Sequence, residues 1–253
     1  MSVLAVIPAR YGSTRFPGKP LALLADGRPM IVHTWERVCQ TPGVDEVIVA
    51  TDDTRIQAVV VAAGGNAVLT SSHHPSGTDR CWEVAQPLTQ FECVVNVQGD
   101  EPCIDAGSIQ AALDVLHQQP SIDIATLITP MAEGDGAITD PNAVKVVISP
   151  LSSNLSHVKA LYFSRSPIPY HRTTEAAMPY YRHVGLYAYR RKALEAFVSW
   201  PPSPLEQTEQ LEQLRALENG LIIGAAVVAQ APKGVDTPED LALLLAALLA
   251  TSA

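Results

Sequence analysis

Between Arg10 and Lys19 the chain carries three cations (Arg10, Arg15, Lys19), three hydroxyl side chains (Tyr11, Ser13, Thr14), two glycines (Gly12, Gly18) and no acid. That is a composition for holding phosphate. Glycine lets backbone N–H groups come close to an anion, Arg offers a planar fork and Lys a point charge. The loop is not a Walker loop, which needs G-x-x-x-x-G-K-[ST]; here Gly12 and Gly18 are six apart and Pro20 follows the lysine. A G-x-G-x-x-G pattern is also absent. A solvated basic loop is the competing reading of the same residues.

Three further stretches hold candidate chemistry. SSHHPSGTDR (71–80) runs from a loop into a helix whose first turn contains Asp79 and Arg80. Its paired His73 and His74 point apart and have no carboxylate at helical spacing from both, so a surface or substrate-edge loop fits better than a metal site. VVNVQGDEP ends an apolar strand at Val97 and places Gln98, Gly99 and Asp100 at its carboxyl end, where open α/β sheets bind ligands. Asp100 alone could be a helix cap or a ligand for a hard cation. In GVDTPEDL, Thr237 reads as an N-cap with Pro238 at N1 and Asp240 at N3. The helix start leaves Asp236 unexplained.

These loops need a frame. Val3–Ile7 is an unbroken apolar run suited to a strand buried on both faces and ended by Pro8. The pattern then predicts helices over 30–40, 53–63, 77–89 and 106–118, alternating with strands over 44–50, 67–70, 93–97 and 122–128. This is the βαβ rhythm of a mostly parallel sheet. From about 140 to 190 the pieces VKVVIS, ALYFSR and GLYAYR read as a small antiparallel excursion suited to an oligomer contact. Helices over 189–199 and 205–219, a strand over 221–229 and a helix from Pro238 complete a single α/β domain, 1–253.

The 253 residues, 47% hydrophobic, suffice for a sizeable core. The longest apolar stretch, 241–250, is too short to span a bilayer, and no charged n-region followed by an apolar h-region is read at the start, so a membrane anchor is not expected. A net charge of −9 argues against nucleic-acid binding, which depends on many cationic contacts to phosphate. Cys39, Cys81, Cys93 and Cys103 lack C-x-x-C spacing and read as buried thiols in a reducing compartment.

The order PARYGSTRFPGKPL resembles the signature loop of the sugar nucleotidyltransferases that activate acidic sugars with CTP, among them the CMP-Kdo synthetases. ATDD (50–53), SGTDR (76–80), VNVQGDEP (95–102), PNAVKVV (141–147), LYFSRSPIP (161–169), RHVGLYAYR (182–190), SPLEQTEQLEQLR (203–215) and GVDTPEDL (234–241) extend the likeness over nearly the whole chain. The resemblance implies a three-layer Rossmann-like nucleotide-diphospho-sugar transferase fold, a homodimer and a cytoplasmic enzyme of lipopolysaccharide biosynthesis. It implies nucleotide binding by Ala9, Arg10, Ser13, Lys19, Ser71, Gly77 and Arg80, and Mg²⁺ held by Asp100 and Asp236. Arg10, Lys19, Asp100 and Asp236 are then the catalytic set. Sugar recognition maps onto Arg15, Gln98, His183 and Glu209, although His183 also suits a core position and Glu209 a solvated helix face. Thr208 and Gln210 stand where relatives more often have an apolar residue, which bears on sugar contacts.

The reaction implied is in-line attack by the anomeric hydroxyl of 3-deoxy-D-manno-octulosonate (Kdo) on the α-phosphorus of CTP, with pyrophosphate leaving. No general base stands out, which leaves solvent or a substrate carboxylate to take the proton. Sialic acid or an amino-substituted Kdo are alternative acceptors. A nucleotide-binding module without turnover is a further reading, disfavoured by the joint presence of Arg10, Lys19, Asp100 and Asp236.

Overall fold

A computed structural model describes residues 1–12, 16–151, 156–172, 179–230 and 234–251. The chain, read from sequence as one domain, divides into two compact units, Met1–Gln110 with Pro232–Ala253, and Ala111–Ala231.

The first unit is a parallel α/β unit. β1 (Val3–Ala9) lies between β2 (Glu46–Thr51) and β4 (Cys93–Asn96), and β3 (Asn66–Leu69) flanks β2. Ala5 of β1 pairs with Val47 on one side and Val95 on the other. Every residue from Val3 to Ile7 is buried, as an unbroken apolar run in a central parallel strand requires. Pro8 does not end the strand: it sits inside β1, beyond the part that β4 covers.

Helices α1 (Met30–Cys39), α2 (Thr54–Ala62) and α3 (Gly77–Ala85) pack on this sheet. α1 buries Met30, Ile31, Val38 and the intervening Val32 and Thr34. Asp53 caps α2 by accepting from Arg55 N, and Ser76 caps α3 by accepting from Thr78 N and Asp79 N. α3 closes at Ala85, earlier than the pattern to Thr89 predicts. α4 (Ala106–Gln118) begins in this unit, and α8 (Pro238–Thr251) also belongs to it.

In the second unit the strands run in the order β8-β5-β9-β7-β6. They are β5 (Ile124–Pro130), β6 (Lys145–Pro150), β7 (His157–Ser164), β8 (Tyr181–Arg190) and β9 (Ile223–Val227). Only β5 and β9 pair in parallel; β5 with β8, β7 with β9 and β6 with β7 are antiparallel. The antiparallel part is therefore a five-strand mixed assembly, larger than a small excursion in a mostly parallel sheet. Lys145 is fully buried and donates to the carbonyls of Asp140 and Ala143.

α5 (Arg191–Ser199) follows β8 directly. The helix expected over 205–219 is two helices, α6 (Pro204–Glu209) and α7 (Gln213–Glu218), because Gln210 takes a left-handed conformation at φ 53°. Arg215 grips Glu206 through two bonds of 2.8 and 2.6 Å across that break. Cys81 and Cys93 are buried as expected, but Cys103 is only partly buried and Cys39 is exposed at the end of α1.

Candidate active site

The carboxyl ends of β1 and β4 open into a cleft of about 220 Å³. Its walls come from four stretches distant in sequence: Pro8, Ala9 and Arg10; Lys19 and Pro20; His74, Ser76, Gly77 and Arg80; and Gln98, Gly99 and Asp100, with Asp236 added from near the C-terminus. Eight of the residues singled out from sequence meet here: Ala9, Arg10, Lys19, Gly77, Arg80, Gln98, Asp100 and Asp236. Ser13 and Arg15 lie outside the described residues. Ser71 is exposed and does not line the cleft; its N–H donates to Glu83 and its hydroxyl accepts from His73 N.

Backbone geometry brings the pieces together. Gly18, at φ +71°, donates its N–H to Tyr11 O at 3.0 Å and closes the opening loop. A short 3₁₀ turn, Lys19–Leu21, then points the chain back. At Gly99 a Cβ would stand 2.9 Å from the carbonyl oxygen of Pro8, so only glycine lets the ends of β1 and β4 approach this closely. Val235 N donates to Asp100 O at 2.9 Å, which seats the segment before α8 beside Asp100.

Lys19 is the hub. Its ammonium stands 2.5 Å from Asp100 Oδ2 and 3.4 Å from Asp236 Oδ1, and its side chain is 11% exposed. The helix that follows Asp236 is capped by its neighbours: Thr237 Oγ1 accepts from Asp240 N, while Asp240 Oδ2 accepts from Asp236 N, Thr237 N and Thr237 Oγ1. The side chains of Thr237 and Asp240 therefore make the cap, and the Asp236 carboxylate faces the lysine. Two hard-oxygen donors converging on one cation suit a divalent ion that also takes phosphate oxygens and water. Among the described residues no cluster of three or more His, Cys, Asp or Glu forms a metal cage.

Next to Asp100, the Glu101 carboxyl is buried and its Oε2 has no hydrogen-bond partner. Burial, helped by the Asp100 charge, pushes its pKa up to about 8. His74, which the sequence left on a loop edge, lines the cleft and is bonded through Nε2 to Glu83 of α3. Nothing in its spacing announces that role, since Glu83 is brought to it by the turn into α3.

The remaining two candidates belong to the second unit. His183 bonds the Thr126 hydroxyl at 3.0 Å and packs edge-on to Phe163. Burial, with Arg182 adding repulsion, lowers its pKa to about 3, so the ring is neutral at physiological pH. Glu209 accepts from Ser164 Oγ at 2.6 Å and Arg165 N at 2.9 Å. Each carboxylate oxygen thus already ties the end of β7 to α6, which is not the solvated face the acid-rich pattern suggests.

Residues 4–223 match the cytidylyltransferase family. A 3-deoxy-manno-octulosonate cytidylyltransferase of Azorhizobium caulinodans is 52% identical over 94% of this chain and 92% of its own length. The chain belongs to the 3-deoxy-manno-octulosonate cytidylyltransferase family. The enzyme of that name from Syntrophotalea carbinolica is 47% identical over 95% of this chain and 96% of its own. A solved structure of a CMP:2-keto-3-deoxy-manno-octonic acid synthetase complexed with CTP superposes with a TM-score of 0.91 at 43% identity, covering all of both chains. The α/β nucleotidyltransferase fold expected from sequence is thereby shown.

Proposed function

We propose that the protein transfers CMP from CTP to the anomeric hydroxyl of Kdo, giving CMP-Kdo and pyrophosphate for lipopolysaccharide assembly. The observation that carries the reading is the convergence of Arg10, Lys19, Asp100 and Asp236 in one cleft, in a chain whose relatives bear that activity in their names.

The bond that forms joins the anomeric oxygen to the α-phosphorus; the bond that breaks joins that phosphorus to the oxygen leading to the β-phosphate. Negative charge grows on the nonbridging and leaving oxygens, and Arg10 and Lys19 supply fixed positive charge against it. The protein forms no covalent intermediate. The hydroxyl proton passes to solvent or to a substrate carboxylate. Asp100 and Asp236 would hold Mg²⁺, which when bound neutralises phosphate charge. Lys19, whose ammonium stands against both carboxylates, would be available to phosphate once they held the cation. The reading assigns Ala9, Ser13, Gly77 and Arg80 to the nucleotide and Arg15, Gln98, His183 and Glu209 to the acidic sugar; Ser71, off the cleft wall, is given a supporting role in its loop.

Pyrophosphate release from CTP with Kdo, amino-substituted Kdo or sialic acid as acceptor tests the proposal. Kdo should give the highest kcat/KM, with no release when acceptor is omitted. Equal or faster turnover with sialic acid would reassign the substrate, and silence with all three would leave a nucleotide-binding module.

A further inference from the structure

Asp52 follows β2 and is not among the residues that line the cleft, yet its carboxylate joins two of the segments that do. One oxygen, Oδ1, accepts from the backbone N–H of Tyr11 at 3.3 Å, beside Arg10 in the opening loop. The other, Oδ2, accepts from Arg80 Nη2 at 3.0 Å, in the first turn of α3. Arg80 Nη1 donates to Thr70 Oγ1 at 2.6 Å, and that hydroxyl is anchored on Thr51 O at 3.1 Å. The fork of Arg80 is therefore oriented by Asp52 and Thr70. Its side chain is 4% exposed and that of Asp52 16%, so the pair is a largely buried charge contact.

Helix capping does not account for this carboxylate, because the neighbouring Asp53 caps α2. The same turn braces Tyr11 a second time: Arg55 lies 3.8 Å from the centre of the Tyr11 ring and is itself held by two bonds to Asp53, of 2.9 and 2.6 Å. Tyr11 in turn receives the Gly18 N–H that closes the loop carrying Lys19.

We propose that Asp52 is a positioning residue that fixes the opening loop and the start of α3 in one register, and so sets the affinity for CTP without touching it. The inference rests on the assignment of the cleft to CTP made above. The segment Asp52–Arg55 acts as a bracket: a carboxylate for a backbone amide and a guanidinium, and a guanidinium for a ring. Loss of the carboxylate frees the two cleft walls to move independently and leaves the buried Arg80 charge without its partner, so the cations that meet phosphate are no longer presented together.

The test compares CTP binding by calorimetry, below the melting temperature, in the parent, Asp52→Asn and Lys19→Ala, with the KM for Kdo measured at saturating CTP. Asp52→Asn should weaken CTP by at least about tenfold, the scale of a lost charge-assisted bond. Its KM for Kdo should stay within about twofold of the parent. CTP affinity within twofold of the parent in folded Asp52→Asn, with a lower melting temperature or without one, overturns the role. If Lys19→Ala turns over like the parent, the cleft assignment falls and this inference with it; if only Asp52→Asn is parental, the cleft assignment stands. Should Asp52→Asn not be recovered folded, the exposed Arg55→Ala is expected to weaken CTP about two- to fivefold, and parental affinity there is the overturning result.

Discussion

Glu101 is buried and His183 partly buried, and these two ionisable groups bend the stability profile in opposite directions. The His183 pKa is lowered to about 3. Below the ordinary histidine value near 6.5 the unfolded chain takes up a proton that the folded one refuses, so this residue costs stability as pH falls from about 6.5 toward 3. The Glu101 pKa is raised to about 8. Between the ordinary value near 4.5 and about 8 the folded chain keeps a proton that the unfolded chain has lost, so stability declines as pH rises through that window. Each group contributes a slope of at most about 1.4 kcal/mol per pH unit. Melting curves against pH should show a shallower acid-side decline in His183→Gln and a shallower alkaline-side decline in Glu101→Gln. Profiles parallel to the parent would contradict the assigned burial.

At the scale of elements, the site depends on how closely the ends of β1 and β4 approach. Gly99→Ala places a methyl 2.9 Å from Pro8 O and 3.4 Å from Ile31 Cδ1, between a backbone and a packed helix. The strain should cost about 1–3 kcal/mol of stability and spread Asp100 away from Arg10, lowering kcat at least about tenfold. Parental melting and turnover would show that the close approach is not needed.

Elements were legible in the sequence where pattern and packing coincide. β1 announces itself as Val3–Ile7, and the cap of α8 stands in plain view as Thr237, whereas Asp53, read as the first residue of a helix, proves to be the cap of α2. The break of 205–219 into α6 and α7 was not legible, since no local propensity announces a left-handed Gln210, and the neighbouring tie of Glu209 to β7 is a tertiary contact. Likewise the alternation pattern reports strands but not partners, and so understated the antiparallel part of the second unit. Loop composition pointed to Lys19 and the family resemblance to Asp100 and Asp236, but only the fold shows that Lys19 and Asp236, 217 residues apart, share a contact. Asp52, inside the ATDD likeness, and His74, one of a histidine pair, give no sign in the sequence of the partners that tertiary turns bring to them.

For the molecule as a whole, we propose a homodimer formed through the β-rich segment at 160–190. Leu161 is 48% exposed and Tyr170 88%, an apolar cost that a second copy would remove. Sedimentation at micromolar concentration should give twice the mass of the 27.0 kDa chain, and Leu161→Glu should shift it toward the monomer. A fully active monomer would contradict the proposal. Among the described residues no helix is long and apolar enough to cross a membrane.

We propose that Lys19, Asp100 and Asp236, drawn from three distant parts of the chain, act as one phosphate-handling centre. Steady-state kcat for CMP transfer in Asp100→Asn, Asp236→Asn and the double variant measures it most directly, because Asn keeps the size of each side chain and removes its charge. Each single variant should lose about a hundredfold or more with parental melting, and the double variant should fall within about threefold of the worse single. Near-parental kcat in Asp236→Asn, or losses that multiply in the double variant, would contradict it.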